Sequence, residues 1–193
     1  MNVIFVALLL ILGPIVSAQN LQEGQKRWST ESPLTIDDFQ IKISDENNDP
    51  VYSQFVISHA ISGFDFLKKN LNQKIENVFY GNASWIDTSM VENTQKQVEF
   101  QQLQFDLAEV HTRQFRKRVL ENKGQIAKGF GIINQISDEI MRELSESRLQ
   151  LVKETKSGLN EEKLAEWREK IANDLKELED FSYDNKKAVK LSN

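Results

Sequence analysis

Residues 91–122 contain neither glycine nor proline, and Leu, Gln, Glu and Arg dominate the stretch. A run of that length without a breaker, rich in strong helix formers, predicts one long helix. Its apolar residues Val98, Phe100, Leu103, Phe105, Leu107, Val110 and Phe115 spread around the helical wheel instead of forming one stripe. A helix that is apolar on most sides must be surrounded, so the rest of the fold has to be built around this one.

Two more helices follow. The pattern predicts one over 132–156, with Gly158 as its C′ residue. Asn160 then caps a third, whose first turn carries Glu161 and Glu162 against the positive helix end. Leu164, Trp167, Ile171, Leu175 and Leu178 stand three or four apart and form its inward stripe. Before the long helix the period changes to two. Phe39, Ile41 and Ile43 alternate onto one face, and "VYSQFVISHAIS" places Val51, Phe55, Ile57, His59 and Ile61 together. "GFDFLKK" and "KIENVFYG" are two further strand candidates, and "SDENNDP" is a loop by composition. The expected class is α+β: a small, mostly antiparallel sheet, then a central helix and two further long helices. One domain is expected over 19–182, with a loose polar tail at 183–193.

The chain opens with "MNVIFVALLLILGPIVSAQN". Its apolar run is too short for a bilayer span of roughly 20 residues, and Ser17 and Ala18 suit a signal peptidase. Residues 1–18 are therefore expected to be a signal peptide cut before Gln19; an uncleaved anchor is the alternative, since no Lys or Arg precedes the run. Export to the periplasm or the medium follows, with no membrane span after cleavage. No cysteine is present, which excludes a lipid-anchored terminus, thiol catalysis and a disulfide framework; the core alone must hold the fold. The charge balance, 24 basic against 29 acidic residues for a net −5, argues against a nucleic-acid partner, which needs a concentrated basic surface.

Four stretches, in order, carry a resemblance: "RWSTESPLTIDDFQ", "VFYGNASWID", "FQQLQFDLAEVHTRQFRK" and "ETKSGLNEEKLAEWREKI". They cover roughly residues 28–182. The chain resembles a family of secreted bacterial proteins regarded as zinc-dependent peptidases, whose domain of unknown function combines a small sheet with a zincin-like helix. The agreement is best at residues that look structural (Phe105, Asp106, Ala108, Glu109, Arg113, Gly158 and Trp167). It fails where chemistry would reside.

In that family, the resemblance implies, a His-Glu-x-x-His helix and a later Glu-Thr-x-His-Gly segment supply three zinc ligands and a general base. Histidines four apart on a helix differ by about 40° around the axis and can share one zinc, while the Glu takes a proton from zinc-bound water. Here the helical ligand positions hold Phe100 and Gln104, the base position holds Gln101, and the third ligand position holds Ser157. Phe offers no lone pair, a carboxamide is a poor zinc ligand and no base, and a serine hydroxyl is not a usual ligand. No metal, cofactor or catalytic residue is therefore expected.

The remaining candidates do not rebuild a site. His111 falls about 16 Å along the axis from Phe100, and His59 lies among apolar strand residues; both are expected to be packed or hydrogen-bonded. Glu109 points about 180° away from Phe100, towards Arg113 one turn on, and should pair with it. "RQFRKR", residues 113–118, is expected to be a solvated face with a structural arginine. No Gly-x-Ser-x-Gly elbow occurs, and "GQIAKGFG" lacks the ending of a phosphate-binding loop. The expected function is that of an exported, catalytically inactive peptidase relative that binds another envelope or secreted protein or plays a structural part there. The alternatives are a hydrolase with a relocated metal site, and a small-ligand binding protein using the vacated cleft.

Overall fold

Helix α1, Val91–Glu121, is the axis of the molecule. The computed structural model describes residues 21–44, 50–89 and 91–191; the expected signal peptide, 1–18, and most of the polar loop before Pro50 lie outside them. Two apolar cores meet on α1. Val98 and Phe105 close one with Trp28, Leu34, Phe39, Phe79 and Ile86. Leu103, Leu107, Val110 and Phe115 turn the other way, into the core shared with the later helices. That two-sided burial is the reason its apolar residues form no stripe.

After a short turn of helix, α2 (Lys123–Ile126), come α3 (Gly131–Thr155) and α4 (Glu161–Glu177). Asn160 caps α4, its side chain accepting from the Lys163 N–H at 3.2 Å, and Leu164, Trp167 and Ile171 are buried as their spacing predicts. The end of α3 departs from expectation. The Ser157 N–H reaches back to the Val152 carbonyl at 2.8 Å and the Lys156 N–H to Lys153 at 3.3 Å, the paired bonds of a Schellman end. The left-handed C′ residue is thus Lys156, at φ 51°, and not Gly158. Gly158, at φ +91°, is needed for a second reason: a Cβ there would stand 3.1 Å from Cγ of Phe100.

Among the described residues six strands form two three-stranded sheets. β1 (Gln25–Arg27), β5 (Ile75–Tyr80) and β4 (Phe55–His59) lie in the order β1-β5-β4, both pairs antiparallel. β2 (Ile41–Ile43), β6 (Trp85–Asp87) and β3 (Val51–Tyr52) lie in the order β2-β6-β3; β3 is antiparallel to β6, and β2 runs parallel to it. The architecture is α+β, a small and mostly antiparallel strand region followed by long helices.

The strand predictions need four corrections. The run 51–62 is split, because the chain changes sheets at Ser53–Gln54; Phe55, Ile57 and His59 do share the face towards α1. "GFDFLKK" is a 3₁₀ turn, Gly63–Leu67. Its Asp65 accepts from the Ser62 N–H at 2.6 Å and hydroxyl at 2.9 Å and pairs with Lys68 at 2.7 Å, so a Ser-x-x-Asp cap outweighs apolar alternation. Phe39 is fully buried but precedes its strand, and Ile41 is 41% exposed. The polar stretch Gln25–Arg27, for which no strand was expected, supplies β1. Gly81 ends β5 where the backbone passes so close to Asp38 that a Cβ would stand 2.1 Å from its carbonyl oxygen.

The tail, expected to be loose, is tied down well past residue 183. Asn70 Nδ2 donates to the carbonyls of Asn185 at 2.7 Å and Lys187 at 2.5 Å, and the Val189 N–H donates to Lys69 at 3.1 Å. Among the described residues no helix is long and apolar enough to cross a membrane.

Candidate functional site

The four positions singled out by the resemblance converge. Phe100, Gln101 and Gln104 from α1 and Ser157 from the loop after α3 line one cleft of about 540 Å³. Pro50–Ser53, at and beside β3, form the opposite wall, and Arg148 and Val152 of α3 complete it with Gly158 and Leu159. Phe100 is buried at 7% exposure, with Gly158 against its ring. Ser157 is exposed at the mouth.

Where the helix would hold metal, a chain of amides and a cation stands instead. Gln104 Nε2 donates to Gln101 Oε1 at 3.2 Å, and Gln104 Oε1 accepts from Arg148 Nη2 at 3.1 Å and Nε at 3.4 Å. The guanidinium also lies over the Phe55 ring, 5.6 Å from its centroid. Burial holds Arg148 below the ordinary guanidinium value, though a guanidinium stays charged in proteins. Zinc does not fit these residues. Phe100 and Ser157 are unsuitable ligands, and the oxygen of Gln104 already serves a positive charge that would repel a second cation.

Among the described residues that line the cleft, the one carboxylate, Glu161, pairs with Lys96 at 3.5 Å. Among the described lining residues none is a base placed beside the amides. Two buried polar atoms of cleft-lining residues have no hydrogen-bond partner among the described residues: the hydroxyl of Ser53, a residue only 4% exposed, and Gln97 Oε1.

The other candidates lie elsewhere. Glu109 is on the far side of α1, as expected, and its Oε1 accepts from Arg113 Nε at 3.1 Å. It also accepts from Arg116 Nη1 at 2.8 Å. Of the expected solvated "RQFRKR" face with a structural arginine, the arginine is found and the solvated face is not, since Arg113, Phe115 and Arg116 are all buried. Arg116 is 1% exposed, and its remaining donors reach the Ile75 carbonyl at 3.0 and 2.9 Å and Phe181 at 2.9 Å. This arginine ties β5 and the C-terminal turn to α1. His59 meets the Phe115 ring edge-on at 5.9 Å. His111 is buried among α1, α3 and α4, near Glu143, Lys170 and Asp174, with Nδ1 unpartnered among the described residues. Neither histidine joins a group of three or more His, Cys, Asp or Glu able to hold a metal among those residues.

Sequence reasoning missed Arg148, Ser53 and Gln97. One signal was present: Arg148 takes an inward position on α3, four after Leu144 and three before Leu151, both buried. A charge on an apolar stripe calls for a reason. Residues from the resembling segments also meet: Trp28 Nε1 donates to Asp106 Oδ1 at 2.7 Å and Trp167 Nε1 to Glu154 Oε2 at 2.8 Å. Compared with models of known families, with curated proteins and with solved structures, the chain matches none significantly.

Proposed function

We propose that this protein is an exported, non-catalytic binding protein of the cell envelope or medium, built on a zinc-peptidase scaffold that has lost its metal chemistry, and that it binds its ligand in the cleft between β3, α1 and α3. One observation carries the reading. Phe100, Gln101, Gln104 and Ser157, assigned to a single former metal site from two distant segments, line the same cleft, with a guanidinium beside them. The Trp28–Asp106 and Trp167–Glu154 pairs support it, because the most specific polar residues of the resembling segments serve one another. Of the binding roles open to such a chain, a small ligand has a shaped cavity of ordinary size behind it.

Two measurements test this. Elemental analysis of protein purified without a metal-binding tag should find no stoichiometric zinc; one tightly held zinc per chain overturns the reading. The second rebuilds the site with Phe100→His, Gln101→Glu, Gln104→His and Ser157→His. With Arg148 in place the guanidinium opposes the cation, so adding Arg148→Gln should raise zinc affinity. A folded five-residue variant with no measurable zinc affinity would count against the cleft as a former metal site.

A further inference from the structure

Arg148 is the exception among the arginines. Arg27, Arg113, Arg116, Arg118, Arg142 and Arg168 each meet a carboxylate within 3.6 Å. Among the described residues Arg148 meets none; its Nε and Nη2 share the neutral oxygen of Gln104. It nevertheless sits in the one cleft where Ser53 Oγ and Gln97 Oε1 are buried and unpartnered. Buried polar groups are satisfied as a rule, and exceptions call for a partner. Here two exceptions belong to the lining of one cavity beside a half-buried guanidinium, and the three chemistries differ. A guanidinium favours a planar anion that accepts two hydrogen bonds. The Gln97 oxygen can only accept, so it requires a donor. The serine hydroxyl serves either way. Phe100, Tyr52 and Leu159 supply the apolar part of the lining.

We infer that the cleft binds a small organic carboxylate that also carries an N–H or O–H donor and an apolar body, the chemistry of an N-acylated apolar amino acid. Arg148 holds the carboxylate, Gln97 and Ser53 take the donor, and Phe100 packs against the apolar part. This rests on the binding role of the cleft proposed above and adds the ligand class. Tyr52, on the cleft wall, stacks on Trp85 at 4.5 Å between ring centroids, which places a fluorescent reporter behind the site.

The test uses the neutral dye Nile red as a charge-blind probe of the cleft, competed with N-acetyl-L-phenylalanine and with its uncharged amide. The acid should displace the dye at a concentration about tenfold lower than the amide, as a charge-assisted bidentate contact implies. Arg148→Gln should erase that preference and leave the amide unaffected, Arg148→Lys should keep part of it, and Ser53→Ala should weaken both competitors. Acid and amide that compete alike, or dye that resists both, overturn the carboxylate assignment and leave the cleft as a binding site. Failure of the dye to bind overturns both.

Discussion

Gly158 rests against the ring of Phe100, so close that a methyl group on the glycine would stand 3.1 Å from Cγ and 3.3 Å from Cβ. The contact joins the loop after α3 to the floor of the cleft. Phe100→Ala should cost about 3–5 kcal/mol, the usual range for truncating a buried Phe. Gly158→Ala should also destabilise, through the overlap and through its φ of +91°. In the double variant the overlap is gone, so the two losses should sum to less than their separate values by about 0.5–2 kcal/mol. Urea melts of the two single variants and the double measure this; strict additivity would mean that the ring moves aside freely.

Glu109 neutralises two arginines inside the protein, at 3.1 and 2.8 Å. Glu109→Gln should leave them with a neutral partner and cost about 3–5 kcal/mol, as breaking a buried ion pair does. The loss should exceed that of Glu143→Gln, whose partner Arg118 is a third exposed. Equal losses would place water beside Arg116.

Lys156 holds a left-handed φ of 51° at the end of α3, where a Cβ is unfavourable and glycine is the usual residue. Lys156→Gly should therefore raise stability by about 0.5–1 kcal/mol. A lowered urea midpoint would show that the lysine side chain contributes more than its backbone strain removes.

Burial lowers the pKa of His111 below its ordinary 6.5, with Lys170 and Arg118 acting in the same direction and Glu143 and Asp174 against it. Burial lowers that of His59 as well. Both are depressed bases, so below pH 6.5 the unfolded chain binds more protons than the folded one. Their contribution to stability is complete above that pH and is lost as pH falls towards the folded values. His111→Leu should flatten this part of the stability–pH curve and leave the slope due to His59. An unchanged slope would assign the effect to other groups.

How far the fold was legible depended on range. Helix α1 and the Asn160 cap are written in neighbouring residues, by breaker-free length and by one side chain reaching three positions on, and both were readable. Changes of sheet are not local. Nothing near Ser53 says that Tyr52 will pair with Trp85 and Phe55 with Phe79, and Gly81 earns its place only through Asp38, far away along the chain. The Ser62–Asp65 cap was readable and was masked by the apolar pattern of "GFDFL". Phe100, Gln101, Gln104 and Ser157, singled out through the resemblance, line one cleft. The place of Arg148 on the apolar stripe of α3 could be read from its spacing with Leu144 and Leu151, but its lack of a carboxylate partner shows only once α3 is packed against α1.

Both walls of the cleft depend on contacts between residues far apart along the chain. The helical wall closes only when Gln104 of α1 meets Arg148 of α3, and β3 waits for β6, where Val51 must find Ile86. Contacts between distant residues are slow to form in folding, so the cavity should be among the last parts of the molecule to arrive. A ligand seated there would grip something not yet assembled at the folding barrier. It should then slow unfolding in proportion to occupancy and leave the refolding rate unchanged, which stopped-flow chevrons with and without the acylated amino acid would reveal. The cleft would in that case act as a latch on the lifetime of the native state, a form of persistence suited to a chain that has no disulfide to rely on.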